Sequence, residues 1–133
     1  MTSFDFLVQT ELEHFENSLD VALSADVDLV DDIARYMSKL KGKRLRPVLA
    51  LLSARAVQLD DKDDIIDAAV AVEMIHAATM VHDDVVDSAK IRRGSESINE
   101  RWSGQVAVLM GDFLLAKALN ILVEIGDLHA LSV

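Results

Sequence analysis

The sequence predicts an all-α protein built around one hydrophobic core. Hydrophobic residues make up 51% of the 133 residues, and the chain contains one proline and five glycines. This composition suits long helices, because Gly and Pro are the residues that interrupt them most strongly. Apolar residues also recur at helical spacing in several segments, and a chain of this length can enclose one core.

The first half of the chain reads as three helices. Residues 4–23 place apolar side chains at helical spacing, and residues 27–40 continue the pattern more weakly. Gly42 can end the second helix, and Pro47 suits the first turn of the next. The run that follows, VLALLSARAV, is apolar on most sides. We therefore expect this third helix to be buried.

The second half of the chain contains two longer predicted helices. The first runs from about residue 63 to 88 without Gly or Pro, and the second covers residues 105–125. Gly111 within the latter indicates a tight helix contact, because Gly costs roughly 1 kcal/mol against Ala. So much of this helix is apolar that we expect one face to meet another subunit or another part of a larger domain. Between the two helices we expect a loop over residues 88–97 and a short helix or turn anchored by Trp102.

The charge distribution favours small anion sites over nucleic-acid binding. A net charge of −10 argues against a general nucleic-acid binder, which needs a basic footprint. The basic residues are nevertheless clustered, and two tight basic clusters in an acidic chain indicate local anion sites. The first cluster contains Lys39, Lys41, Lys43, Arg44 and Arg46, and the second contains Arg92 and Arg93.

Other sequence features narrow the class of protein. Without cysteine the chain has no disulfide framework and no thiolate metal site. Its first residues lack the basic start and apolar core of a signal peptide. No apolar run reaches about 18 residues without an interruption. We therefore expect a cytoplasmic protein without a transmembrane segment.

The most informative segment is VEMIHAATMVHDDVVDSAKIRRG, residues 72–94. Asp83 and Asp87 are four residues apart and share a helical face, with Asp84 beside them and His76 two turns earlier. Three carboxylates at the C-terminal end of a helix repel one another and the helix dipole. A hard divalent cation such as magnesium would relieve both repulsions and is held by carboxylate oxygens together with substrate phosphates.

The paired Arg92 and Arg93 offer planar forks matched to phosphate oxygens. We hypothesise that this helix end holds a diphosphate between magnesium and arginine. Lys43, Arg44 and Arg46 form a second candidate anion site, because they stand at the start of a predicted helix with its free backbone N–H groups.

Simpler interpretations exist for each feature. Acids near a helix end are usually a solvated face, although these interrupt an apolar segment in which charges need partners. The basic cluster could be a solvated loop. His76 could be a core histidine, and His82 is interpreted as a structural residue beside the acids.

Four ordered motifs carry a resemblance. They are GKRLRP (42–47), EMIHAATMVHDDVVD (73–87), IRRG (91–94) and LMGDFLLAKA (109–118). With them, residues 4–125 resemble the N-terminal part of the trans-isoprenyl diphosphate synthase, or polyprenyl synthetase, family, of the long-chain octaprenyl- or heptaprenyl-like type. The resemblance implies an isoprenoid synthase helical bundle, of which residues 1–133 are the N-terminal helices. It also implies a homodimer that condenses isopentenyl diphosphate with an allylic diphosphate.

The resemblance also assigns roles to individual residues. It implies Mg²⁺ bound by Asp83 and Asp87, with Asp84 in support. Arg92 resembles the ligand of the allylic diphosphate. Product length would depend on Ala78 and Thr79, whose small size leads us to hypothesise a long-chain product. The residues implied for isopentenyl diphosphate are Lys43, Arg46, His76 and Arg93.

One departure from the family limits the expected activity. The family carries a second aspartate-rich motif and a downstream lysine, and nothing after Asp127 supplies them here. We therefore expect the 133 residues alone to be inactive and to form part of a longer domain. The resemblance further implies no nucleic-acid partner, and peripheral membrane contact for a lipid product.

Three other functions remain open. The first is a non-catalytic subunit of a heteromeric prenyl synthase, although such subunits lack the first aspartate-rich motif. The second is a class I terpene cyclase, against which GKRLRP and IRRG weigh, because a cyclase has no second diphosphate to bind. The third is a helical interaction module with acids on its surface.

Overall fold

The computed structural model describes residues 5–40, 42–59 and 62–132, and this part of the chain is almost entirely helical. It confirms the all-α prediction. Residue 4, where the first helix was expected to begin, and Lys41 of the first basic cluster lie outside the described residues. A short 3₁₀ turn, Asp5–Val8, leads into the first helix. The helices are α1 Gln9–Leu23, α2 Asp28–Lys39, α3 Leu45–Ala56, α4 Lys62–Val86, α5 Ile98–Arg101, α6 Gly104–Ile125 and α7 Leu128–Ser132. The strands are β1 Ile91–Arg92 and β2 Ser95–Glu96.

The core is organised around the pairing of α4 with α6, and α1 and α3 pack on α4 from the side. Met74 and Ala78 of α4 are buried, as are Leu114 and Ala118 of α6. Alanine at such positions keeps the helix surfaces narrow, so the two long helices can lie close together. Phe15 of α1 is also fully buried and closes the core on the side of α1.

The third helix is less buried than its apolar sequence predicts. Pro47, Val48, Leu51 and Ala54 face the core. Leu49 on the other side is 62% exposed. The reason is that α3 contacts α1 and α4 through one face only in the described part of the chain. The prediction of a buried third helix is therefore wrong for its outer face.

Two helices are long and apolar enough, by length and composition, to cross a membrane. They are the segment Asp63–Val86, with a mean hydropathy of 1.4, and Gly104–Ile125, with a mean hydropathy of 1.9. This differs from the expectation that no apolar run would be long enough. The same two helices pack against each other in the bundle core, and core helices of soluble proteins share these properties.

The outer face of α6 is apolar and has no covering element in the described residues. Leu109 is 68% exposed, Leu119 47% and Val123 64%. The helix therefore has more apolar surface than one neighbour can cover, as its sequence predicts.

The segment expected to be a loop contains a short β-hairpin. Ile91 pairs with Glu96 and Arg92 with Ser95 in antiparallel register. The turn is made by Arg93 and Gly94, with φ angles of 51° and 79°. A two-residue hairpin turn of this kind needs positive φ at both central residues, and the RG dipeptide is the only local sign of it.

The hairpin is fastened to the bundle at both ends. Asn99 Nδ2 donates to the Ala89 carbonyl oxygen at 2.9 Å. The Tyr36 hydroxyl of α2 donates to the Glu96 carbonyl oxygen at 2.7 Å. The Tyr36 ring meets Trp102 edge to face, with centroids 5.3 Å apart, so Trp102 is an anchor as predicted.

Gly111 allows α4 and α6 to approach closely. A Cβ atom at Gly111 would lie 2.2 Å from His82 Nε2, which is shorter than any normal contact. The same nitrogen lies 3.1 Å from the Val108 carbonyl oxygen. The prediction of a tight contact at Gly111 is therefore confirmed, and His82 is its partner.

We predict that Gly111→Ala destabilises the fold by about 1–3 kcal/mol, because the new methyl group must displace the imidazole ring of His82. Urea unfolding followed by circular dichroism measures the difference. Gly104→Ala is the matched control, because its Cβ would lie 3.9 Å from Val85, an ordinary contact. Equal stability of the two variants would show that the contact at Gly111 imposes no constraint.

Candidate active site

The acidic motif divides into one buried and two exposed carboxylates. Asp84 is 6% exposed, whereas Asp83 and Asp87 are exposed. Arg92 binds Asp84 through its guanidinium group: Nε lies 3.1 Å from each carboxylate oxygen, and Nη2 also donates to Oδ1. A buried carboxylate requires such a partner, since an unpaired buried charge is strongly destabilising.

Asp83 and Asp87 lie one helical turn apart. The backbone N–H of Asp87 donates to the Asp83 carbonyl oxygen at 2.8 Å. In the described part of the chain, no three His, Asp or Glu side chains converge as a preformed metal site. Two exposed carboxylates nevertheless fit magnesium, which keeps several waters and is commonly shared between one or two carboxylates and substrate phosphates.

Arg93 lies against the loop that precedes α3. Its Nη1 donates to the Leu40 carbonyl oxygen at 2.7 Å. A Cβ atom at Gly42 would lie 2.7 Å from the same Nη1. The glycine of GKRLRP therefore leaves room for the guanidinium of the second basic motif, a role that its position in the sequence does not reveal.

Arg44 has a different role from the one predicted by the basic cluster. Its side chain turns inward, where Nε donates to Glu16 and Nη1 donates to Glu73, each at 2.8 Å. Burial alone would lower the pKa of Arg44, but hydrogen bonds to these two carboxylates outweigh it, so the pKa is raised. The expectation that Arg44 contributes to an anion site is therefore corrected: it ties the loop to α1 and α4.

Lys43 and Arg46 remain at the surface beside the start of α3. Both side chains are exposed. Arg44 has a φ angle of 50°, and this left-handed conformation reverses the chain immediately before the helix begins at Leu45. The loop thus turns one basic side chain inward and leaves two available to an anion.

The pKa of His76 is affected by burial and by the charged groups around it. Its pKa is lowered, first by burial and then by the positive charge of Arg46, with Arg93 and Arg92 adding to the effect. Glu73 partly opposes the shift. Positive charges of both basic motifs therefore contribute to the lowered pKa of His76.

A largely apolar cavity of about 130 Å³ lies beside these groups. Asp84, His76, Arg92 and Arg93 belong to its charged rim. The side chains that form its apolar wall include Met74, Ala77, Met80, Val81 and Leu114. This arrangement can bind an anionic head group at the rim and an apolar group against the wall.

Several predicted site residues do not line this cavity in the described structure. Lys43, Arg46, Asp83 and Asp87 stand outside it, on the solvent side. Ala78 is 2% exposed and belongs to the helix core, while Thr79 is exposed. The role of residues 78 and 79 in product length stays a prediction. The sequence interpretation missed Met80 as a cavity residue.

Comparison with known proteins identifies relatives over most of the chain. The polyprenyl synthetase family model matches residues 27–133. An all-trans-nonaprenyl-diphosphate synthase (geranyl-diphosphate specific) of Rhodobacter capsulatus is 36% identical over 91% of this chain and 37% of its own length. The octaprenyl diphosphate synthase of Escherichia coli is 39% identical over 84% of this chain and 34% of its own length. The chain thus spans little more than a third of these relatives.

Solved structures agree with the sequence matches. A polyprenyl synthase from Caulobacter crescentus, complexed with calcium and isoprenyl diphosphate, superposes with a TM-score of 0.90 and 35% identity. The alignment covers 97% of this chain and 39% of that one. A decaprenyl diphosphate synthase from Rhodobacter capsulatus also gives 0.90, at 28% identity, over 97% of this chain and 40% of that one.

We predict that Arg44→Gln lowers the free energy of unfolding by about 2–3 kcal/mol, because Glu16 and Glu73 lose their shared partner. Arg35→Gln is the matched control: its ion pair with Asp32 is exposed (71% and 60%), so the loss should be below about 0.5 kcal/mol. Urea unfolding of both variants tests the difference. Similar losses of unfolding free energy in both variants would contradict a stabilising role of the Arg44 ion pairs.

We predict that Arg46→Gln raises the pKa of His76 toward its ordinary value, because one of the neighbouring positive charges is removed. Histidine NMR titration measures this directly, and Arg35→Gln should leave the curve unchanged. The lowered pKa of His76 also makes stability depend on pH. As the pH falls below 6.5, the unfolded chain binds this proton more readily than the folded chain does. The contribution of His76 is therefore lost on acidification through that window.

Proposed function

The chain belongs to the polyprenyl synthetase family, and on that premise we propose that it supplies diphosphate-binding groups for condensing isopentenyl diphosphate with an allylic diphosphate. One observation supports this most strongly. Groups from the two basic motifs meet in space: Arg93 contacts the loop of the first motif at Leu40 and Gly42. Arg93 also lines the same largely apolar cavity as Arg92 and His76. A surface of scattered charges would not produce this convergence.

The proposed binding roles follow from position. Arg92 binds the allylic diphosphate at the rim, beside the acids of α4. Lys43 and Arg46, at the start of α3, bind isopentenyl diphosphate together with His76 and Arg93. Cationic groups held at fixed positions stabilise charge that develops on a departing diphosphate, because they need no reorganisation during the reaction.

The cavity wall has a separate task. Ala77 and Met80, which are half-buried, present apolar surface to the reacting allylic group. Such surface excludes water, which would otherwise capture an electron-deficient allylic carbon. Holding both substrates at the same rim also aligns the isopentenyl double bond with that carbon. In this proposal no side chain acts as a nucleophile.

Asp83 and Asp87 are the residues that we propose to hold magnesium, with Asp84 in support. Magnesium bound there would neutralise diphosphate oxygens and assist departure of the leaving group. The support comes from the chemistry of the donors: exposed oxygen ligands next to arginines suit a hard cation shared with phosphate.

The proposed product is a long-chain trans-polyprenyl diphosphate. Support comes from the relatives, whose names specify nonaprenyl and octaprenyl products. The proposal further includes a homodimer located in the cytoplasm, with peripheral membrane contact through its lipid product. The uncovered apolar face of α6 is consistent with a protein partner.

A second candidate is a component of a heteromeric synthase. Its support is a relative called heptaprenyl diphosphate synthase component 2, from Geobacillus stearothermophilus, which is 38% identical over 90% of this chain. Co-purification with a second, different subunit would favour this candidate, whereas a homodimer would favour the first.

We predict that the chain binds inorganic pyrophosphate in the presence of Mg²⁺ and not after chelation. Isothermal titration calorimetry provides the measurement. The double substitution Asp83→Asn with Asp87→Asn should weaken binding at least about tenfold, because each lost carboxylate removes an oxygen ligand and a negative charge.

The matched control is Asp20→Asn, the same change at an exposed acid on α1. It should leave binding as it is in the unsubstituted chain. A helical interaction module with acids on its surface would show no magnesium-dependent binding at all, and that result would refute the proposed function.

A further inference from the structure

We propose that Asp84 is a positioning residue for Arg92: it holds the guanidinium group ready for a diphosphate, while Asp83 and Asp87 face the metal. This inference rests on the proposed function and specifies what support by Asp84 means. It divides the three acids of one motif into two different tasks.

Burial separates the three acids. Asp84 is 6% exposed as a residue, whereas Asp83 and Asp87 are exposed. A magnesium ion that keeps several waters needs carboxylates that reach solvent. Asp84 therefore presents the least suitable carboxylate of the three to a hydrated ion.

Hydrogen bonding points to the same division. Both carboxylate oxygens of Asp84 accept from Arg92 Nε at 3.1 Å, and Oδ1 also accepts from Nη2. A carboxylate engaged in this way has few lone pairs left for a metal ion. Arg–carboxylate contacts that use the edge of the guanidinium fix its orientation as well as its position.

The guanidinium remains able to bind an anion. Asp84 occupies the edge formed by Nε and Nη2, which leaves Nη1 to donate elsewhere. The Arg92 side chain is 36% exposed, and it lines the cavity together with His76. Asp84 thus orients Arg92 without using all of its donors.

The backbone adds to this role. The N–H of Ala89 donates to the Asp84 carbonyl oxygen at 2.8 Å. Asp84 therefore holds the chain on both sides of Lys90, through its main chain at Ala89 and through its side chain at Arg92. Moving this residue would move the start of the hairpin.

The charges around Arg92 agree with the geometry. Its pKa is raised, mainly by the hydrogen bonds to Asp84, against a smaller effect of burial. Asp83 and Asp87 add only through their charge. Neither of them accepts a hydrogen bond from Arg92 in the described structure, in contrast to Asp84.

The first test is spectroscopic and needs no ligand. The Nε–H proton of Arg92, assigned with Arg92→Lys, should exchange slowly with water in the 133-residue chain. Asp84→Asn should make it exchange rapidly and shift its resonance. Asp87→Asn is the matched control, because it removes the same charge from the same motif and should leave the signal in place. An unchanged signal in Asp84→Asn would overturn the inference.

The second test separates anion binding from metal binding. Calorimetry with inorganic pyrophosphate gives the anion affinity and the Mg²⁺ concentration for half-maximal binding. Asp84→Asn should weaken pyrophosphate affinity about tenfold with an unchanged magnesium midpoint, whereas Asp83→Asn should raise that midpoint. A raised midpoint in Asp84→Asn would make Asp84 a metal ligand and overturn the inference.

The two proposals fail in different ways. Absence of magnesium-dependent pyrophosphate binding by the unsubstituted chain refutes the proposed function, whatever the arginine signal shows. Normal binding with an arginine signal that is indifferent to Asp84 refutes only the inference. Asp84→Asn and Arg92→Lys should also be less than additive in pyrophosphate affinity, since they break the same contact. Full additivity would count against the pairing, and circular dichroism confirms that each variant is folded.

Discussion

A carboxylate buried at the C-terminal end of a helix is the constraint on which the rest of this site depends. Asp84 is nearly inaccessible, and the carbonyl ends of α4 add partial negative charge around it. Only a cation brought in from another segment can neutralise it, and the β-hairpin supplies Arg92. The position of the hairpin is therefore set by electrostatics at the end of α4. The next residue, Arg93, is carried with it to Gly42 and so links the second basic motif to the first.

The loop before α3 is fixed by a similar but separate interaction. Arg44 lies between Glu16 of α1 and Glu73 of α4, so the loop is tied to two helices that are distant from it in the sequence. Glu73 precedes His76 by one turn of α4. In this loop Arg44 is directed inward and stabilises the structure, whereas Lys43 and Arg46 are exposed. The ion pairs of Arg44 thus hold in place the loop that carries the proposed binding residues Lys43 and Arg46.

The sequence predicts the helices well, because helical periodicity is a local property. It also predicts the close contact at Gly111, since glycine destabilises a helix interior and is usually found there where another helix approaches closely. It does not show which arginine of GKRLRP turns inward, because that depends on Glu16, 28 residues earlier in the chain. For a related reason, the sequence does not show that the outer surface of α3 is exposed. Apolar composition alone does not reveal how many helices pack against a segment. The sequence does not indicate the hairpin, because arginine rarely adopts the positive φ that Arg93 has in this turn.

The exposed leucines of α6 affect the solubility of the polypeptide. Exposed apolar patches favour association, and here the opposing force is repulsion between molecules of net charge −10. That repulsion vanishes near the isoelectric point of about 4.6 and is screened by salt. Precipitation in acidic buffers and at high ionic strength would therefore reflect exposed apolar surface, to which α6 contributes, without any loss of helical structure.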